Sequence, residues 1–242
     1  MNRLLASILA SSIVLACPAL GSITTFEDGN LNGWSNTGRT TLAATGNPGQ
    51  CIDEPLLDVF GLDVRNDSLT EILGDYTTHT GAVKFSIDIE TLSINPFFDP
   101  EFQYTRTLVL ELRQYTPNNP APYMSVFTEL GVLTRDNPGF VTFSTTILDT
   151  NSTTLPSGWF GAGDEDPNTF EPRLPAGVTF ADVLSDVDEV HFTTLVPGFF
   201  YGFTDYYTRV DNIEVSFVAI PEPSTLGLAA LALPLLARRR NK

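Results

Sequence analysis

The sequence predicts an all-β protein, two antiparallel sheets stacked as a sandwich, on three observations. Apolar residues recur at every second position through most of the chain, only one short stretch has helical spacing, and Pro and Gly clusters cut the apolar runs into strand-sized lengths. Period-two alternation means that one face of each strand meets a core while the other meets a different environment. Clusters such as NPFFDP, TPNNPAP, DNPG and LPAG supply the turns between strands.

Taken in order, the first predicted strand is Ile23 to Glu27. Phe85, Ile87 and Ile89 alternate with Lys84, Ser86, Asp88 and Glu90, and Leu108, Leu110 and Leu112 alternate with Thr107, Glu111 and Arg113. Val141, Phe143 and Ile147 alternate with Thr142, Ser144 and Thr146. Further strands are expected at Tyr123 to Leu130, Asp188 to Leu195 and Tyr207 to Val218. The exception is TFADVLSDV, where Phe180, Val183, Leu184 and Val187 fall on one helical face and Thr179 is placed to cap the N-terminus. With no internal repeat or linker, residues 22–219 read as one domain, a jelly-roll-like two-sheet sandwich with one short helix.

Both ends read as targeting segments, each with an apolar helix. Residues 1–21 have a positive start at Arg3, an apolar run from Leu4 to Ala16 and a small-residue cleavage site at Ala19-Leu20-Gly21, the pattern of a secretory signal peptide with Ser22 as the mature N-terminus. The alternative is a lipobox at Val14-Leu15-Ala16-Cys17. At the other end, Thr225 to Ala237 is uncharged and interrupted by Pro234. As a helix it would reach about 20 Å against a hydrocarbon core of about 30 Å, which suits a transient anchor with Arg238, Arg239 and Arg240 left on the cytoplasmic side.

All but one of the 29 carboxylates lie between Ser22 and Ile220, whereas five of the 13 basic residues lie outside it. So acidic a body repels nucleic acid and anionic membrane surfaces. Cys17 and Cys51 are the only cysteines, so loss of the leader leaves Cys51 without an intramolecular partner. Stability must then come from the core.

The succession Pro221-Glu222-Pro223, an apolar stretch and Arg238 to Arg240 resembles the PEP-CTERM sorting signal over residues 220–242. The same tail type carries the name "ice-binding protein C-terminal", which describes the signal and not the body. The resemblance implies an exosortase-type processing peptidase as partner, a transient stay in the inner membrane, and delivery to the cell surface or extracellular matrix of a Gram-negative-type bacterium. TTFEDGNLNGWSNTG followed by TGNPGQCID resembles the opening of laminin B (type IV) domains, and RVDNIEVSF resembles the closing strand of carbohydrate-binding jelly rolls. Together they imply that the first and last strands are neighbours. They also imply one structural calcium ion held by Glu27 and Asp211, with Asp28 and Asp53 as substitutes. Parity would turn Asp211 toward the core beside Ile213, Val215 and Phe217, where Arg209 on the same face could be its partner without any metal, and would set Glu27 opposite Phe26 unless a bulge intervenes.

Sugar binding needs aromatic faces among polar groups. Trp34 reads as core, and Trp159 and Tyr201 stand in loop-like contexts as candidate ligand contacts. Asp88 and Glu90 share a strand face and could form a carboxylate pair of the glycosidase kind, which a polar outer face explains equally well. Asp164, Glu165 and Asp166 lack the spacing of a calcium loop. His79 and His191 have no partner nearby in sequence, and no nucleophile motif is present. The Thr-Thr doublets are irregularly spaced, as expected of β-formers and not of an ice-binding array. The sequence thus predicts a non-enzymatic, exported sandwich that binds extracellular polysaccharide or serves as a matrix component. A calcium-dependent adhesion module and a glycan hydrolase are the alternatives.

Overall fold

A computed structural model describes residues 20–37, 40–96, 98–99, 101–115 and 123–218. The leader up to residue 19 lies outside the described residues, as does the tail from 219, with Pro221, Glu222, Pro223, Arg238, Arg239 and Arg240. The strands are β1 (Leu20–Thr24), β2 (Ser35–Asn36), β3 (Leu42–Gly46), β4 (Gly49–Val59), β5 (Asp63–Asn66), β6 (Ala82–Pro96), β7 (Arg106–Tyr115), β8 (Tyr123–Leu133), β9 (Phe140–Ile147), β10 (Trp159–Ala162), β11 (Asp164–Glu165), β12 (Pro172–Arg173), β13 (Glu189–Thr193) and β14 (Thr204–Val218). One helix, α1 (Phe180–Leu184), precedes β13. No helix among the described residues is long and apolar enough to cross a membrane.

Two antiparallel six-stranded sheets result. Sheet 1 has the order β3-β4-β14-β6-β9, with β1 beside β14, and sheet 2 has the order β10-β8-β7-β13-β5-β2. β11 and β12 form a separate small hairpin. The first and last strands are neighbours, with Leu20 opposite Phe217 and Thr24 opposite Ile213. β1 therefore takes in Leu20 and Gly21, two residues that the sequence pattern gives to the leader. Gly21 is needed there, since its φ is +131° and a Cβ would collide with the Val215 carbonyl.

β14 organises sheet 1. Residues from Thr204 to Val210 pair with β4, those from Ile213 to Phe217 pair with β1, and β6 lies along the whole of its other side. The break falls at Asn212, which has a φ of +47°, and the register against β6 shifts between Asp211 and Glu214. One inserted residue changes which face the following side chains meet. Val210 is in the core before the break and Ile213, Val215 and Phe217 after it.

The core lies between the sheets. Val83, Phe85, Ile87 and Ile89 of β6 face Leu108, Leu110 and Leu112 of β7 across it, joined by Val190 and Phe192 of β13. Each such fully buried side chain contributes roughly 1.5–3 kcal/mol relative to exposure. α1 closes one end with Phe180, Val183 and Leu184. Its start is the predicted one: Thr179 Oγ1 accepts the Asp182 N–H at 3.1 Å, and Asp182 returns the bond by accepting the Thr179 N–H at 2.8 Å. Trp34 is core, as expected, and its indole N–H reaches Thr24 Oγ1 at 3.2 Å. Cys51 is buried as a free thiol.

Ile87→Ala, at a fully buried position on β6, is expected to cost about 2–5 kcal/mol of stability in urea unfolding. Ser144→Ala, on the exposed face of β9, is expected to stay within about 0.5 kcal/mol.

Candidate functional site

The outer face of sheet 2 carries a row of side chains that no loop-borne motif announces. Residues directly opposite in antiparallel strands share a face. Phe160, Phe127, Glu111, His191, Arg65 and Ser35 stand opposite one another in succession across all six strands. The adjacent row sets Arg113 between Ser125 and Glu189. Tyr115 pairs with Tyr123 beyond it. Glu111 and Arg113 are the residues that alternate with Leu108, Leu110 and Leu112, and their side of the sheet is not simply solvated: Glu111, Ser125 and His191 are fully buried and Glu189 is 1% exposed.

Burial of charge on this scale requires pairing, and the pairing is continuous. Ser125 Oγ donates to Glu111 Oε1 at 2.6 Å, and Arg113 Nη2 donates to Glu111 Oε2 at 2.7 Å. Arg113 also approaches Glu189 at 3.8 Å and lies over the Tyr123 ring at 4.4 Å. The Tyr115 hydroxyl donates to Glu189 in a short bond. His191 sits between two carboxylates, with Nδ1 2.8 Å from Asp63 and Nε2 2.8 Å from Glu189, the second contact ionic and off the line of a good hydrogen bond. Arg65 closes the network at 3.9 Å from Asp63 and 3.8 Å from Glu189.

Three carboxylates here face two guanidinium groups, so a protonated His191 balances the charge. Burial opposes the imidazolium, but the bonds to Asp63 and Glu189 outweigh it and raise the His191 pKa. Burial likewise opposes ionisation of Asp63 and Glu189, and their contacts with His191 hold both below the usual carboxylate range. Burial and the bond to Glu189 push the Tyr115 hydroxyl up to about 12. The carboxylates are thus committed to structure. What the face offers outward is Tyr115 at 47% exposure, Phe160 at 50%, the half-buried Tyr123 ring and the partly exposed Arg65 and Arg113. Flat rings beside guanidinium and hydroxyl donors suit stacking and hydrogen bonding to a polar ligand, not proton transfer.

The candidate residues of the sequence fall elsewhere. Trp159, a candidate ligand contact, is buried in the core, edge-on to Phe180 at 5.2 Å. Tyr201 lies against the Arg106 guanidinium at 4.5 Å, at the end of the sandwich opposite α1. Asp88 accepts from Thr142 at 2.5 Å and from Asn212 at 2.9 Å, while Glu90 accepts from Arg209 at 2.8 Å. The two carboxylates share the outer face of sheet 1, each bound to its own partners. Asp164 pairs with Arg173 at 2.9 Å across the β11–β12 hairpin.

Of the four expected calcium ligands, two meet at one turn. Phe26 has a φ of +59°, which breaks the alternation after β1 and sets the Glu27 carboxylate against Gly49 in the β3–β4 turn. Asp211 reaches the same turn, accepting from the Asn47 N–H at 2.6 Å. It is fully buried there, not on the core side as parity implies, because the Asn212 bulge follows it. Burial raises its pKa, and Asp88 and Glu27 raise it further. No lysine or arginine pairs with it among the described residues. Asp53 is taken by Arg209 at 2.9 Å and Thr45 at 2.7 Å, and Asp28 bonds the Asn30 N–H in an exposed turn. The oxygen donors suit a hard cation, although no three acidic, histidine or cysteine side chains among the described residues are disposed as a metal site.

The residues of the sheet 2 face had a signal in the sequence. Glu111 and Arg113 in one strand-like stretch, and Glu189 and His191 in another, are each two apart, and antiparallel pairing sets opposite charges side by side. Only the register between the two stretches was missing.

No protein-family model matches this chain, and no curated protein does. Solved structures do match. The N-terminal CBM22-1–CBM22-2 tandem domain of Paenibacillus barcinonensis Xyn10C is 11% identical over 88% of this chain and 53% of its own, with a TM-score of 0.45. The family 30 carbohydrate-binding module of a cellulosomal cellulase of Clostridium thermocellum is 12% identical over 86% of this chain and 95% of its own, with a TM-score of 0.40. The L4b domain of human laminin alpha-2 is 14% identical over 76% and 96%, with a TM-score of 0.34. The chain spans about half the length of the first of these. At such identities and TM-scores nothing of their binding transfers to this chain.

A group whose pKa is raised on folding adds stability below its unfolded value and loses it as pH rises through the folded one. The melting temperature is therefore expected to fall as pH rises above about 6.5, the ordinary histidine value. His191→Gln is expected to abolish that dependence in a calorimetric series.

Proposed function

We propose that the protein is a non-catalytic polysaccharide-binding β-sandwich that lays a glycan chain along the outer face of sheet 2. The observation that carries this reading is the mounting of the partly exposed rings of Tyr115, Tyr123 and Phe160 on an outer face whose carboxylates are buried and paired. Rings fixed in this way stack on pyranose faces with little ordering cost, while Arg65 and the tyrosine hydroxyl groups meet sugar hydroxyls. The acidic body favours a neutral glycan over an anionic one. Export through the leader and sorting through the PEP-CTERM-like tail by an exosortase-type peptidase belong to the same reading, and so does delivery to the cell surface or matrix.

A calcium ion at the β3–β4 turn is a second proposal, favoured by the burial of Asp211 beside Asp88 and Glu27 without a cationic partner among the described residues. Glu27 and Asp211 would hold it, and it would fix the turn against β14. Its role would be structural.

In affinity electrophoresis through gels containing neutral polysaccharides, at least one glycan is expected to retard the protein. Tyr115→Ala and Phe160→Ala are each expected to weaken retention about fivefold, the worth of one stacking contact of about 1 kcal/mol. Undiminished retention in both variants would remove the face from consideration. Calcium is expected to raise the melting temperature of the native chain and not of Asp211→Asn, and an equal rise in both would place any ion elsewhere.

A further inference from the structure

The end of the sandwich opposite α1 is built from the β4–β5, β6–β7 and β13–β14 connections, and it gathers exposed phenylalanines. Phe60 is 42% exposed, Phe98 72%, Phe102 55%, Phe199 59%, Phe200 75% and Phe203 49%. They are in contact: Phe203 stacks on Phe60 at 4.5 Å, Phe200 lies 5.1 Å from Phe60, and Phe199 lies 4.6 Å from Tyr201. On the other side Phe102 meets Tyr104 edge-on at 5.2 Å, and Tyr104 and Tyr201 both lie against the Arg106 guanidinium. Beside Phe60 is a cavity of about 280 Å³ lined by Thr37, Pro55, Leu56, Leu57 and Val59, and Leu57 is 67% exposed.

An apolar surface of this extent adds nothing to the core and marks an interaction site. Its rim decides what fits. The three connections carry Asp99 and Glu101 and no lysine, arginine or histidine, and the strand ends beside them add Asp58 of β4 and Asp205 of β14. The Asp58 backbone N–H donates to the Asp205 carboxylate at 2.8 Å, which ties the end of β4 to the start of β14 and fixes that carboxylate two residues after Phe203. Arg106, at the root, is buried and already covered by its two rings. A second copy of the chain would bring one acidic rim against another, and an anionic lipid surface would be repelled in the same way. A sugar chain would find phenyl rings whose polar neighbours are already engaged: Tyr104 and Tyr201 are turned onto Arg106, the Asn95 amide donates to the Phe102 carbonyl at 2.7 Å, and the Gln103 amide oxygen accepts the Ile94 N–H at 3.2 Å.

We infer that this end docks a basic polypeptide segment. Its apolar or aromatic side chains seat among Phe60, Phe200, Phe203 and the adjoining cavity, and its lysines or arginines pair with Asp58 and Asp205. The site is separate from the glycan face and independent of that reading.

The test is fluorescence anisotropy of a labelled octapeptide, Lys-Leu-Phe-Lys-Lys-Leu-Phe-Lys, titrated with the full chain at low salt. Saturable binding is expected, with affinity reduced about tenfold or more in Phe200→Ser/Phe203→Ser, as for loss of central apolar anchors. A loss of about three- to tenfold is expected in Asp58→Asn/Asp205→Asn and at high salt, as for screened rim charges. The counterpart peptide with glutamate for lysine is expected not to bind. An unchanged melting temperature in the Phe200 and Phe203 variant, whose side chains lie outside the core, verifies folding. Equal binding of both peptides, or undiminished binding in both double variants, would overturn the proposal. So would a concentration-dependent dimer in sedimentation that the Phe200 and Phe203 variant abolishes, since the occupant would then be a second copy.

Discussion

Sheet 1 depends on the hydrogen bonding of β14 to three other strands. It is one of the two longest strands, and it gives one side to β6 while dividing the other between β4 and β1. The division is made possible by one residue in a left-handed conformation, Asn212, whose side chain then bonds the Asn47 carbonyl at 2.6 Å and Asp88 at 2.9 Å. A backbone irregularity is thus tied down by the polar groups that it exposes, as bulges commonly are when they aim a side chain. Asp211 owes its burial to the same device.

The two outer faces solve the same electrostatic problem differently. On sheet 1 the charges form short local sets: Lys84 with Glu214 at 2.6 Å, and Arg209 with Asp53 and Glu90. The sets are partly solvated, and ion pairs in such places contribute little. On sheet 2 the charges run together through Glu111, Arg113, Glu189, His191 and Asp63, and several have no exposure. A buried network of this kind penalises removal of any one member heavily, because the remaining charge is left unpaired. It also holds the rings above it in fixed positions, which a surface of solvated side chains does not do. That difference is why the second face, and not the first, reads as a recognition surface.

Much of the fold was legible because period-two alternation is dictated by the pleat. Phe85, Ile87 and Ile89 lie inside, as does the Leu108 series, and the one predicted helix is capped by Thr179. The turn in TGNPGQCID leads into β4, as its resemblance to laminin B openings implies, but alternation does not show how far that strand runs, because Pro55 and its acidic residues break it. Pro55 is tolerated since β3 pairs only with the start of β4, leaving its other side free there. Alternation says which residues share a face but not how deeply that face is buried, so the burial of Glu111 and His191 was not legible. Left-handed residues defeated parity twice, at Phe26 and at Asn212. Trp159 reads as a loop residue because it follows Gly158, yet it begins a strand and turns inward.

The strand at the middle of sheet 1 is also the last among the described residues. During synthesis, β1, β4 and β6 emerge long before the segment that joins them, and Leu20 has to wait for Phe217. Pairing so distant in sequence is slow, and it leaves strand edges open in the meantime. Sheet 2 can assemble most of its ladders earlier, since β7 and β8 are adjacent hairpin partners. Sheet 1 therefore remains half-built, its strands unjoined, until β14 has been delivered.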